Sequence, residues 1–368
     1  MAAFPRVEFA ARTFDSLPGW DTDDHEAAFA AFRRCGFRAA EKPYRSGAIG
    51  VPAEAFLPAF AEARTMAGIT AGEARAFFER HFRPFLIRPG RDTGFVTGFY
   101  EPEARASRVR TREFRFPLYR RPDDLIDLDD DNRSAEIDPS FRFGRRHGGV
   151  ISEYFDRRAI ESGALAGRHL EIAWLSDRID LFFIHIQGAA RLRMAEGDTL
   201  RVTYAAKSGH PFTGIGRVLA DMGEIPLADV TMQSIRAWLA ANPARHDEIL
   251  WQNRSFIFFR EAAVDDEEAG PVAAAKVPLT AGRSLAVDRL LHTFATPMFV
   301  VSPSLHAFGS SGFRRLMIAQ DTGSAIIGPA RGDLFTGSGQ AAGAVAGVIR
   351  NKADFYMLVP AALAEHWA

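Results

Sequence analysis

The chain has 368 residues, 47% of them apolar, and a formal net charge of −1. It is long enough for two domains with a sizeable core, and too near neutral for a global attraction to nucleic acid or an anionic membrane. Its single cysteine, Cys35, excludes an internal disulfide and a cysteine-based zinc site. No apolar run reaches the roughly eighteen residues that a membrane-spanning helix needs.

The opening stretch MAAFPRVEFAARTFDSLPGW lacks a basic start followed by a continuous apolar segment, so it does not read as an export signal. Residues 23–88 read as helical. Asp23-Asp24 read as a capping pair ahead of an apolar stripe at Ala28, Phe29, Ala31, Phe32 and Cys35. Thr70 and Glu73 make a capping box before Ala74, Phe77, Phe78, His81 and Phe82. His81 on that face reads as a packed histidine rather than a ligand.

The period then changes. GFVTGFYEPE, at 94–103, alternates and ends in a turn. Residues 104–255 read as largely β, with strand candidates at Phe114–Tyr119, Glu171–Leu175, Leu181–Gln187 and Leu200–Tyr204. Leu181-Phe182-Phe183-Ile184 suggests a strand buried on both faces. Thr231–Asn242 and Ala244–Asn253 read as helices. From Ser255 strand signals resume at Phe256–Phe259, Val272–Ala275, Leu285–Val287, Met298–Val301, Leu316–Ala319 and Phe355–Val359, as in a small closed barrel. The breaks near 100 and 255 point to one domain built from both chain ends with an all-β domain inserted, and a cleft between two such domains is a usual place for a ligand.

Several signatures fail. No Gly-x-Ser-x-Gly elbow or His-Glu-x-x-His helix is present. Ser208-Gly209-His210 reads as a turn. The glycines at 337 and 339 lack the second βαβ half of a dinucleotide site. Asp127-Leu-Asp129-Asp-Asp131 lacks the glycine and glutamate of a calcium loop and reads as a solvated acidic loop. Arg105, Arg108, Arg110 and Arg112 fit either a groove for an anionic polymer or a solvated strand edge.

The informative set is Asp288 in LAVDR, Asp321 in AQDTG and Asp333 in RGDLF, each beside a short apolar strand. Carboxyls that converge and lose solvent have raised pKa values and can protonate a leaving glycosidic oxygen. Aspartates at turns also cap backbone amides, and on spacing alone both readings stand.

AQDTGSAIIGPARGDLFTGSG, with LAVDR upstream, resembles the 3D domain, named for three aspartates. With TGFYEPE, FFIHIQGAARLRM, YAAKSGHPFTGIGRVL and MQSIRAW in the same order, the chain resembles the membrane-bound lytic murein transglycosylase A family from about residue 20 to about residue 360. The resemblance implies a mainly β fold with N-terminal and connecting helices. It places a double-psi β-barrel in 1–98 and 256–368, with the 3D segment at about 280–360. A second β-barrel fills 99–255, and a glycan groove lies between them.

The implied activity is non-hydrolytic cleavage of the MurNAc-β-1,4-GlcNAc bond of peptidoglycan, leaving 1,6-anhydro-MurNAc ends. Asp333 is the implied acid and base, with Asp321 supporting it and Asp288 structural. Thr97, Tyr100, Gln187, Lys207 and Gln320 are the expected glycan contacts. The open alternatives are a non-catalytic polysaccharide-binding barrel, or an inverting hydrolase with Asp321 or Glu101 as second carboxylate. No cofactor, metal or nucleic acid is expected. Partners would be glycan strands and other cell-wall proteins, the chain monomeric and placed in the periplasm or cell envelope. One departure is Thr336, where the family pattern more often has an aromatic.

Overall fold

The computed structural model describes residues 7–90, 93–262, 269–365 and 367. The strands in chain order are β1 (Glu8–Ala11), β2 (Phe82–Arg88), β3 (Phe95–Glu101), β4 (Glu103–Ser107), β5 (Phe116–Tyr119), β6 (Leu125–Asp127), β7 (Phe143–His147), β8 (Val150–Ser152) and β9 (Glu171–Leu175). They continue with β10 (Ala189–Met194), β11 (Thr199–Lys207), β12 (Ile257–Ala262), β13 (Ser284–Val287), β14 (Pro297–Ser302), β15 (Phe313–Asp321), β16 (Arg331–Ser338), β17 (Arg350–Lys352) and β18 (Asp354–Pro360). Two compact units result. One comprises Met1–Tyr100, Glu267–Gly337 and Ala341–Ala368, and the other Glu101–Asp266 and Ser338–Gln340.

The first unit is a nine-stranded sheet, among the described residues, in the order β1-β2-β18-β14-β15-β13-β16-β3-β17. Two helices, His25–Glu41 and Ala71–His81, pack Phe29, Phe32, Phe77 and Phe78 into its main core. Both starts follow their sequence signals. Asp24 accepts from the Ala27 amide, and Thr70 and Glu73 close the capping box. The second helix ends at His81 because Phe82 already has extended backbone and opens β2. His81 sits at the margin of the apolar face: its ring packs on Phe77 and its Nε2 meets Glu62 at 2.8 Å.

Gly98 shows why TGFYEPE needs its glycine. A Cβ there would lie 2.9 Å from Ala346 Cα, at the end of the helix Gly339–Ala346. Gly343 of that helix faces the Tyr100 ring at 2.7 Å in the same sense. The pair lets helix and strand approach to backbone contact.

Asp23, expected as half of a capping pair, does something else. Its carboxylate takes both arms of Arg283, at 2.8 and 2.9 Å, and the Leu316 amide at 2.6 Å. The two side chains are 3% and 6% exposed. This pair ties the start of the first helix to β15 and to the turn before β13.

The second unit carries a six-stranded sheet, β12-β11-β10-β4-β9-β5, and a three-stranded sheet, β6-β7-β8. A bridge between Arg120, just after β5, and Phe259 of β12 joins the first and last strands, so the larger sheet closes on itself. Leu181–Gln187, expected as a strand, belongs to a helix, Arg178–Gln187. Asp177 caps it through the Ile179 and Asp180 amides, and Gly188 ends it at φ 76°. Four consecutive buried residues had suggested a two-sided strand. The helix instead has two covered faces: Leu181 and Ile184 enter the core of the closed sheet, and Phe182 and Phe183 pack with Ile215, Leu219 and Leu239 of neighbouring helices.

Other expectations shift in detail. Val272–Ala275 forms only an isolated bridge from Val272 to Pro278. The helix expected over Ala244–Asn253 is a single turn at Pro243–Arg245 followed by His246–Leu250. Ser208 and His210 are both buried, and His210 Nε2 bonds the Tyr154 carbonyl at 2.7 Å. Asp129 accepts from the Asp131 and Asn132 amides, as a turn residue does.

Removing Asp23 leaves the buried Arg283 guanidinium with the exposed and more distant Asp24 carboxylate, at 3.9 Å, as its ion-pair partner. Asp23→Ala is expected to lower unfolding free energy by about 3–5 kcal/mol, read from urea denaturation; a loss below about 1 kcal/mol would contradict this role for the pair.

Candidate active site

The site follows from how two strands flank a third. β13 pairs in parallel with β15 on one side and antiparallel with β16 on the other. Ala286, in the middle of β13, lies opposite Asp321 of β15 and opposite Asp333 of β16. Cross-strand partners project on the same face of a sheet. Both carboxylates therefore share one face, separated at Cα level by two strand spacings, or roughly 10 Å. The Ala286 methyl stands between them.

A bulge makes this possible. Along the β13–β15 pair the register jumps from Leu285↔Ala319 to Ala286↔Asp321, so Gln320 is the extra residue. Without it, Asp321 would follow the inward alternation of its neighbours. With it, Ile318, Ala319 and Gln320 are all buried and Asp321 emerges half-buried.

The opposite face of β13 and β16 belongs to the main core, through Leu285, Val287 and Leu334. The carboxylate face carries a small separate apolar cluster of Phe99, Leu279, Ala286 and Phe335. These neighbours take water from the aspartates while leaving them partly accessible.

Asp333 is held from β3. The Thr97 hydroxyl donates to Asp333 Oδ1, and Arg331 Nη2 donates to the same hydroxyl oxygen at 2.8 Å. Arg331, two residues before Asp333 and thus on the same face, lies 5.5 Å over the Phe95 ring. Burial pushes the Asp333 carboxyl above its ordinary value, against the Thr97 hydrogen bond and the Arg331 charge. Asp321 is pushed up to about 6, first by burial. The Thr322 and Ala274 amides and Lys276 pull it down, and the negative charge of Asp333 pushes it further up. The Ala274 amide donates to Asp321 Oδ1 at 3.1 Å. Two raised carboxyls on one face give a proton donor that remains protonated closer to neutral pH than a free aspartate.

The third aspartate is spent on the backbone. Asp288 accepts from the Leu290 amide at 3.0 Å and the Gly328 amide at 2.9 Å, joining the turn after β13 to the loop before β16.

The five expected glycan contacts separate. Thr97 is half-buried against Asp333. Tyr100, three residues along β3, is 6% exposed and packs on Gly343. Gln187 and Lys207 belong to the other unit, both half-buried, at the ends of the helix Arg178–Gln187 and of β11. Burial lowers the Lys207 pKa, with Arg142 adding to it. Gln320 is fully buried: its amide donates to the Ala31 carbonyl and Cys35 Sγ, and its carbonyl accepts from Ser284 at 2.5 Å. It is the bulge residue, and its polar atoms face the core rather than a ligand. Glu101 is likewise enclosed, at 0% exposed, by Arg191, Arg201 and Ser338. It cannot activate a water for an inverting displacement. Thr336 uses its hydroxyl internally, on the Phe99 and Ala342 carbonyls, which accounts for a small polar residue there. Arg331 was not anticipated, although its i, i+2 relation to Asp333 was readable.

Comparison with known proteins agrees with this architecture. Residues 95–260 match the MltA specific insert domain and residues 283–359 the 3D domain. A crystal structure of a membrane-bound lytic murein transglycosylase from Agrobacterium tumefaciens is 49% identical over 98% of this chain and 100% of that one, with a TM-score of 0.93. MltA from Neisseria gonorrhoeae is 33% identical over 96% of this chain and 93% of that one, with a TM-score of 0.79. Membrane-bound lytic murein transglycosylase A of Escherichia coli K12 is 32% identical over 68% of this chain, a match that spans 61% of the relative's length. With both domain types in their places and nearly full-length likeness to solved members, the chain belongs to the MltA family.

Proposed function

We propose that this chain is a peptidoglycan lytic transglycosylase in which Asp333 is the general acid and base. The observation that carries the reading is the Asp333 carboxyl itself. It is half-buried, raised in pKa and held by Thr97, on a sheet face shared with Asp321, in a chain whose relatives are named lytic murein transglycosylases.

Protonated Asp333 gives its proton to the glycosidic oxygen as the bond to C1 of the muramoyl residue breaks. The muramoyl C6 hydroxyl then forms the new bond to C1 and returns its proton to the Asp333 carboxylate. No water is consumed, and one carboxyl serves both steps because the nucleophile belongs to the substrate, unlike the two-carboxylate hydrolases. Asp321 shares that face, and its carboxyl, raised first by burial, is raised further by the negative charge of Asp333, so the two groups titrate as a coupled pair beside the reacting bond. Thr97 fixes which carboxyl oxygen faces the substrate. Gln187 and Lys207 are proposed glycan contacts, and the working location is the cell envelope, as the relatives' name suggests. Among the described residues no helix is long and apolar enough to cross a membrane.

Digestion of purified sacculi, followed by mass spectrometry, should yield 1,6-anhydro-muropeptides. Reducing-end products would indicate a hydrolase, and no release a binding protein. Asp333→Asn should lower turnover by about 10²–10⁴-fold with glycan binding retained; near-normal turnover would refute the assignment.

Asp321→Asn removes the carboxyl that titrates at about 6, so an inflection of the kcat–pH profile near that value should be lost. An inflection that persists unchanged would rule out a coupling of Asp321 to turnover.

The same variant tests stability. The native state holds the Asp321 proton up to about 6, against 3.8 in the unfolded chain. The stabilisation from that proton is complete below the unfolded value and is lost as pH rises through about 6. Above that, the ionised group costs about 2–3 kcal/mol. In urea unfolding, Asp321→Asn should gain stability relative to the parent between about pH 4 and about pH 8; parallel curves would contradict the raised carboxyl.

A further inference from the structure

The Thr97–Asp333 contact depends on the register of β3 against β16, which are neighbours in the sheet. A slip of one residue displaces a strand by roughly 3.3 Å and reverses its faces. Three contacts hold that register. Thr97 meets Asp333, the Thr336 hydroxyl donates to the Phe99 carbonyl at 3.0 Å, and the Ser338 hydroxyl donates to Glu101 Oε2 at 2.6 Å. The last joins the terminal residue of β3 to the terminal residue of β16.

Glu101 is an unusual anchor. It is 0% exposed, and its carboxylate is met by Arg191 Nε at 2.8 Å and by Arg201 Nε at 2.9 Å. The arginines come from β10 and β11, and the Arg191 amide also donates to the Pro102 carbonyl at 2.8 Å. The end of β3 is therefore pinned by two guanidiniums and a backbone bond, and Ser338 ties β16 to that fixed point. Breaking up such a buried charge cluster is costly, so the anchor resists sliding.

We propose that Ser338 and Glu101, braced by Arg191 and Arg201, are positioning residues that lock β3 against β16 so that Thr97 meets Asp333. The role in turnover rests on Asp333 being the acid, as proposed above; the mechanical coupling does not. Neither residue touches the reacting atoms. Misplacement of about 1 Å can cost about 10²-fold in rate, so a loosened strap should be visible in kcat.

Ser338→Ala removes the strap and leaves the Glu101–arginine cluster intact. Two readouts decide. With soluble glycan strands as substrate, kcat for anhydro-product formation should fall by about tenfold while KM changes less than about twofold, and Ser338→Thr should restore it. Independently of activity, carboxyl-carbon NMR titration, with the Asp333 signal assigned from Asp333→Asn, should show the Asp333 midpoint moving up in Ser338→Ala. The loosened Thr97 hydroxyl no longer favours the ionised form. If Ser338→Ala does not fold, Glu101→Asp shortens the arm while keeping its charge and should give the same kcat loss and the same upward midpoint. An unchanged Asp333 midpoint in the folded variant overturns the proposal, as does a change confined to KM with kcat unaltered. If the parent protein forms no anhydro product, the activity reading fails while the titration still tests the strap.

Discussion

The structure of the site depends on β13 being shared. A single short strand accepts β15 in parallel and β16 antiparallel, and its Ala286 faces an aspartate on each side. Any larger residue at 286 would fill the space between the carboxylates. Any change in either register would turn one of them into the main core. The small side chain and the double pairing are therefore one constraint, and the raised Asp321 and Asp333 values are its electrostatic consequence.

The site borrows its chemistry from a conflict that the fold tolerates. Polar groups crowd against Phe99, Leu279 and Phe335, where ionisation is penalised. That penalty lowers stability at neutral pH and is the source of the acid proposed for Asp333. Other polar groups of the same unit are fully engaged. Asp288 spends its oxygens on two backbone amides, Gln320 closes a hydrogen-bond set with Ser284, Ala31 and Cys35, and Asp23 neutralises Arg283. Polar residues that resemble one another in sequence thus divide into those that are satisfied and those left strained toward a function.

Much of this was readable from the chain, for identifiable reasons. Helix starts with side-chain caps, such as Asp24 and Thr70, are local chemistry and carry their own signal. The mainly β class followed from short apolar runs divided by turns. The misreadings share a cause in tertiary context. Leu181–Ile184 looked like a strand because two different cores cover one helix, which no periodicity reveals. Gln320 looked like a ligand contact because the bulge that turns it inward is a property of the pairing with β13, not of AQDTG. Asp23 looked like a cap until Arg283, far away in sequence, claimed it. Arg331 was legible in principle, since alternation puts it beside Asp333, but only a known strand makes that rule usable. Charge partners between distant strands, such as Glu101 with Arg191 and Arg201, leave no local trace at all.

The central claim is that the sugar's own hydroxyl completes the displacement, so that one carboxyl suffices. The direct measurement is digestion of sacculi in water enriched in oxygen-18, with the new glycan ends analysed by mass spectrometry. The account predicts anhydro ends that carry no label. Labelled reducing ends would show that water is the nucleophile and would contradict it.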